Sequence, residues 1–268
     1  MGDAAWRPQE TEGKVGIRQL RRAVAPLAAA LLLALPVAGR AEESVELKPR
    51  PGVTETVLYT MVSGAPASVI LLPGGGGVLA GVRNNFLLRV REDFVRQGLS
   101  IAIPDAPSDH GSGMEAAFRA SAEHATDLAA VAAFLKSKSP APVWLVGTSR
   151  GTISAANGAA RLGPSQVAGI VLTSSVWVGG LSAVPLGEIA VPVLVVHNRS
   201  DGCRESPYAG AAPGFAQLAK APTKELISVE GGRSQSKPCE AMSPHGYLGI
   251  EDQVVPPVIQ WIKAHSKG

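Results

Sequence analysis

From Glu55 onward the chain alternates short apolar runs rich in β-branched residues with segments of helical period, and this alternation limits the available folds more than any other feature. The runs Glu55–Val62, Ala67–Leu72, Leu99–Ile103, Pro142–Val146, Val167–Thr173, Val191–His197 and Glu225–Val229 read as strands. Between them, Asn84–Gln97 spaces Phe86, Leu87, Val90, Phe94 and Val95 as one face of a helix, and Met114–Lys136 reads as one long helix. Thr152–Arg161 is a small-residue helix, Ser206–Ala219 is helical in parts, and Gly249–His265 closes the chain as a helix interrupted at Pro256 and Pro257. Strand runs that are apolar throughout, separated by helices, predict an α/β fold: a mostly parallel central sheet with helices on both faces. The interval between the Val167 and Val191 strands is too short for a large lid domain.

Charge locates a second feature. Residues 1–41 hold six of the 25 Lys and Arg and three of the 22 Asp and Glu, so the rest carries 19 of each sign and is neutral. No basic domain is left to track a phosphate backbone, so no nucleic-acid partner is expected. The basic segment contains Ala23–Val37, an uncharged apolar run preceded by Arg18, Arg21 and Arg22 and followed by Gly39-Arg40-Ala41, the three-part layout of a secretory signal peptide. The run is short for a bilayer span of roughly 20 residues, so a retained membrane anchor is the weaker alternative. Residues 1–41 are therefore expected to be a signal peptide and 42–268 a periplasmic or secreted domain, with no membrane contact after cleavage. The Arg21-Arg22 pair leaves twin-arginine export open. In an oxidising compartment the only two cysteines, Cys203 and Cys239, are expected to pair.

The chemistry-bearing motif is Gly147-Thr148-Ser149-Arg150-Gly151, directly after Val143-Trp144-Leu145-Val146 and directly before a helix. A nucleophile on such a strained turn requires small residues on either side so that strand and helix can approach, which makes Ser149 the candidate nucleophile. A serine hydroxyl needs a base, and the base an orienting acid. Asp201, just past the Val191–His197 strand, is the candidate acid, with Glu188 and Glu205 as rivals; His245, in Ser243-Pro244-His245-Gly246-Tyr247, is the candidate base ahead of His197 and His265. Oxyanion donors are expected from the backbone of Arg150 and from Gly75 or Gly76 in Pro73-Gly74-Gly75-Gly76-Gly77, a run that does not say which amide points inward. The same run matches a dinucleotide fingerprint through Gly75, Gly77 and Ala80, with Asp105 at the end of the next strand. That reading leaves the Ser149 turn unexplained and is set aside, so no cofactor is expected. The five histidines are scattered without metal-ligand spacing, so no metal is expected either, and Asp105, Asp109 and His110 read as pocket lining or turn chemistry.

Taken together, the turn GTSRG, the acid in HNRSDGC, the base in SPHGYLG and the loop PGGGG, in the order Ser, Asp, His, resemble the α/β-hydrolase superfamily over residues 55–265. Pro73 stands where many members have His in the glycine loop. The missing lid is similar to compact esterases and dienelactone-hydrolase-like members, although the latter's usual Cys nucleophile is Ser149 here. The resemblance implies cleavage of small-molecule carboxylic esters through a Ser149-His245-Asp201 triad and an acyl-enzyme. The alternative is a non-catalytic binding protein of the same fold. Under the resemblance a Cys203–Cys239 bridge would tie the acid loop to the base loop, and Trp177 and Tyr208 are candidate pocket residues.

Overall fold

The computed structural model describes residues 41–266 together with Met1 and Gly2, so the expected signal peptide lies almost wholly outside the described residues. Among these residues eight strands form one sheet: β1 (Glu43–Arg50), β2 (Val53–Thr60), β3 (Ser68–Leu72), β4 (Ser100–Pro104), β5 (Val143–Thr148), β6 (Gly169–Thr173), β7 (Val193–Asn198) and β8 (Lys224–Val229). Their spatial order is β1-β2-β4-β3-β5-β6-β7-β8. Pairings from β4 through β8 are parallel, whereas β1 and β2 add antiparallel partners at one edge.

Among the described residues six α-helices accompany the sheet: α1 (Phe86–Arg96), α2 (Ala116–Arg119), α3 (Ala122–Lys138), α4 (Gly151–Leu162), α5 (Ala211–Ala216) and α6 (Glu251–Ala264). The two-residue period of the strands divides the core between the sheet's faces. Val69, Leu71, Ile101, Ile103, Trp144, Val146, Val171, Leu194 and Val196 pack with α1 and α6. Their neighbours Ile70, Leu72, Ala102, Val143, Leu145, Ile170, Leu172, Val193 and Val195 pack with α3 and α4. Each fully buried aliphatic side chain contributes about 1.5–3 kcal/mol relative to exposure, so two continuous apolar layers stabilise the sheet centre on which the site is built.

Three elements differ from expectation. The long helix is two, because Ser121 leaves the helical conformation and its hydroxyl accepts from the His124 amide, capping α3. The terminal helix is not interrupted: α6 runs through Pro256 and Pro257, held by buried Val254, Val255, Val258, Ile259 and Ile262. The edge strand β1 carries alternating charged residues and was not legible as an apolar run; only Val45 and Leu47 pack against the core. Between β6 and β7 lie two short 3-10 turns and no lid domain. No helix of the described residues is long and apolar enough to cross a membrane.

Candidate active site

The site lies at the carboxyl edge of the sheet, where strands end and loops begin. β5 ends at Thr148, and Ser149 follows with φ of +53°, a left-handed conformation rare for a serine, directly before α4. The turn is possible only because it is flanked by glycine. A Cβ at Gly147 would overlap the Gly151 backbone, and a Cβ at Gly151 would overlap the Leu72 carbonyl at the end of β3. Ser149 thus projects from a sharp corner at the amino end of a helix, where partial positive charge favours a developing anion.

The loop after β7 brings Asp201 to this corner, and the 3-10 turn Pro244–Gly246 before α6 brings His245. His245 Nε2 lies 2.9 Å from Ser149 Oγ, and His245 Nδ1 lies 2.8 Å from Asp201 Oδ2. The second Asp201 oxygen accepts from the Cys203 amide at 2.9 Å. With Nδ1–H donated to the carboxylate, Nε2 is the bare nitrogen facing the serine hydroxyl. The rivals are engaged elsewhere. Glu188 pairs with Lys220, Glu205 lies 3.4 Å from the Arg150 guanidinium, and His265 Nδ1 donates to the Trp261 carbonyl. His197 donates Nε2–H to the Ser206 carbonyl at 3.0 Å, and burial lowers its pKa, keeping it neutral beneath Asp201.

A frame of polar contacts holds the His245 turn against the sheet. Ser174, past the end of β6, donates its hydroxyl to the His245 carbonyl at 2.7 Å. The buried Tyr247 hydroxyl donates to the Val196 carbonyl of β7 at 2.8 Å and accepts from the Ser174 amide at 2.9 Å. Burial raises the Tyr247 pKa, so it remains a phenol and a donor at neutral pH. Asn198, the last residue of β7, donates to the Pro244 carbonyl at 2.9 Å. Nothing in the sequence marked Ser174 as a partner of a residue 71 positions later; the adjacency of Tyr247 to His245 was the only available sign.

A cleft of about 740 Å³ opens over Ser149 and His245, lined also by Gly74, Gly75, Val82, Phe86 and the Cys239–Met242 segment. Of the two glycines expected to donate to an oxyanion, Gly75 lines this cleft, with φ of +61°. Gly76 does not: its Cα stands against Gly113, and its carbonyl accepts from the Met114 amide at 2.8 Å. The glycine that touches the serine is Gly74, where an added Cβ would lie 2.7 Å from Ser149 Cβ. Among the described residues the Gly75, Gly76 and Arg150 amides have no acceptor, and of the two glycines it is Gly75 that lines the cleft. Cys203 and Cys239 form a disulfide across a separation of 36 residues, joining the Asp201 loop to the cleft wall that precedes His245.

Other candidates fall outside the site. Trp177 packs on Gly210 and Gly214 in a separate depression, and the Tyr208 hydroxyl meets Ser228. Asp105 accepts from the Leu79 and Ala106 amides, a loop-capping use and not that of a ribose ligand. Asp109 pairs with Arg50, which lowers its pKa to about 2, and His110 stacks on Phe118.

No family model matches this sequence, and no curated protein does. Solved structures do. A dienelactone hydrolase from Anabaena variabilis superposes with a TM-score of 0.63 at 18% identity, covering 84% of this chain and 98% of that one. An esterase from Pyrococcus furiosus gives 0.66 at 14%, covering 85% and 92%. An alpha-beta serine hydrolase homologue from Coxiella burnetii gives 0.59 at 18%, covering 81% and 96%. At such identities the likeness is one of three-dimensional arrangement, and the arrangement of this chain is the α/β-hydrolase fold.

Proposed function

We propose that the protein is a serine hydrolase that cleaves small-molecule carboxylic esters in two acyl-transfer steps. One observation carries this reading: the unbroken chain Ser149 Oγ, His245 Nε2, His245 Nδ1, Asp201 Oδ2, with links of 2.9 and 2.8 Å, at the floor of an open cleft. His245 takes the Ser149 proton as the oxygen attacks the ester carbonyl, and Asp201 orients the imidazole and stabilises its positive charge. The negative charge that develops on the carbonyl oxygen meets the Gly75 and Arg150 amides and the amino end of α4. His245 then protonates the departing alcohol, and water activated by the same imidazole attacks the acyl-enzyme and releases the acid.

The esterase and hydrolase names of the structural neighbours are consistent with this chemistry. The disulfide and the apolar leader support export to the periplasm or the exterior. The test is labelling of the folded protein by a fluorophosphonate probe, with turnover of 4-nitrophenyl acetate. Wild type is expected to label and turn over, and Ser149→Ala to do neither, with a rate loss of at least about 10,000-fold. Folded wild-type protein that never labels would overturn the hydrolase reading in favour of a non-catalytic binding protein.

A further inference from the structure

Beneath the glycine loop lies a charge that the chemistry above does not use. Arg119, at the end of α2, is 1% exposed and faces no carboxylate among the described residues. Its Nη2 donates to the carbonyls of Pro73 at 3.3 Å and Gly75 at 3.2 Å, and its Nη1 donates to Ser154 Oγ at 2.9 Å. A guanidinium only donates, so Ser154 Oγ accepts from it, and His124 Nε2 lies 2.8 Å from the same oxygen. Burial holds the His124 pKa down at about 3, so the ring adds no second charge beneath the loop at neutral pH. Burial also lowers the Arg119 pKa to about 10, helped by Arg150, which leaves it a cation at neutral pH.

The two carbonyls that Arg119 holds are not arbitrary. One belongs to the Pro73–Gly74 peptide and the other to the Gly75–Gly76 peptide. Between them lies the Gly74–Gly75 peptide, which carries the Gly75 N–H and whose own carbonyl accepts from the Gly77 amide at 3.3 Å. Peptide groups are planar, so fixing both neighbours and the carbonyl of the middle one fixes the direction of its N–H. Without such a clamp, four consecutive glycines would sample many backbone states. We infer that Arg119 is a positioning residue for oxyanion stabilisation, clamping the glycine loop so that the Gly75 amide is aimed at the carbonyl oxygen of an ester attacked by Ser149. This rests on the hydrolase reading above.

A purely structural role makes a different prediction. Removing Arg119 leaves the Ser154 hydroxyl and the Pro73 and Gly75 carbonyls without this donor, which costs stability whatever the residue does for catalysis. Arg119→Met is therefore expected to lower Tm, and the role is read in the protein that stays folded: kcat on 4-nitrophenyl acetate falls roughly 10- to 100-fold with KM little changed, whereas a purely structural residue would leave that kcat unchanged. Lysine, a point donor, cannot bridge both carbonyls as a fork does, so Arg119→Lys is expected to recover only part of the loss. The decisive comparison is O-4-nitrophenyl thionoacetate, whose sulfur is a weak hydrogen-bond acceptor and gains little from a well-aimed amide. Its turnover is expected to fall much less than that of the oxygen ester in both variants. If Arg119→Met does not fold, Arg119→Lys and Ser154→Ala, which removes the Nη1 acceptor, decide on the same ester ratio. Equal losses on the two esters, or an unchanged kcat in a folded variant, would overturn the inference while leaving an active wild type as a hydrolase. Wild type that neither labels nor turns over removes the hydrolase reading and this inference with it.

Discussion

Gly74 shows how much of the site depends on a single absent methyl group. An added Cβ would come within 2.7 Å of Ser149 Cβ and 3.3 Å of its hydroxyl, so the substituent would displace the serine or the loop. Gly74→Ala is expected to lower kcat/KM on 4-nitrophenyl acetate about 100-fold while far-UV circular dichroism stays native, since a misplacement near 1 Å has that effect on aligned groups. A variant with full activity would show that the loop gives way freely. The sequence drew attention to the glycine run but could not rank its members, because four identical residues carry no periodicity and no side-chain direction. The same limit hid Arg119, which reads as one more cation on a helical segment until its burial under the loop is known.

The elements were legible where their local pattern was strong. β3 to β7 are short buried runs and were readable as such; β1, with charges on its exposed face, was not. The break between α2 and α3 depends on one serine cap, and a serine inside an alanine-rich run is a weak signal. In α6, tertiary packing overrides local preference. Pro256 cannot donate to the Asp252 carbonyl, yet the helix persists because its apolar face is buried. Pro256 itself is exposed, so Pro256→Ala is expected to stabilise the protein by about 1–3 kcal/mol, seen as a higher Tm in thermal unfolding. A lower Tm would indicate that the proline ring packs or restrains the unfolded chain more than the lost hydrogen bond costs.

Across the whole molecule, two features add to or subtract from the stability that the apolar layers provide. The Cys203–Cys239 bridge closes 36 residues and is worth about 4 kcal/mol in the chain-entropy model, and it also joins the Asp201 loop to the segment before His245. Reduction, or replacement of both cysteines by serine, is expected to lower Tm by several degrees and to reduce turnover at temperatures where the protein is still folded. Unchanged turnover and Tm would show that the bridge does neither. Glu55, on β2 and 2% exposed, has its pKa raised to about 8 by burial, with Asp127 adding to the effect. Its folded form binds the proton more tightly than the unfolded chain, so this contribution is complete below about pH 4.5 and is lost as pH rises through 8. Glu55→Gln is therefore expected to raise Tm relative to wild type at pH 9, by roughly 3 °C or more, and to do so much less at pH 5. An equal effect at both pH values would place the carboxyl's influence elsewhere.

The layered α/β architecture and the candidates Ser149, Asp201 and His245 were legible in the chain, because periodicity and strand-turn-helix spacing are local properties written in neighbouring residues. That Gly74 touches the serine, that Gly75 and not Gly76 lines the cleft, that Ser174 and Tyr247 hold the histidine turn, and that a buried arginine grips the loop all emerge from packing. Those relations join residues tens of positions apart through hydrogen bonds and close contacts, and such contacts exist only once the chain has packed.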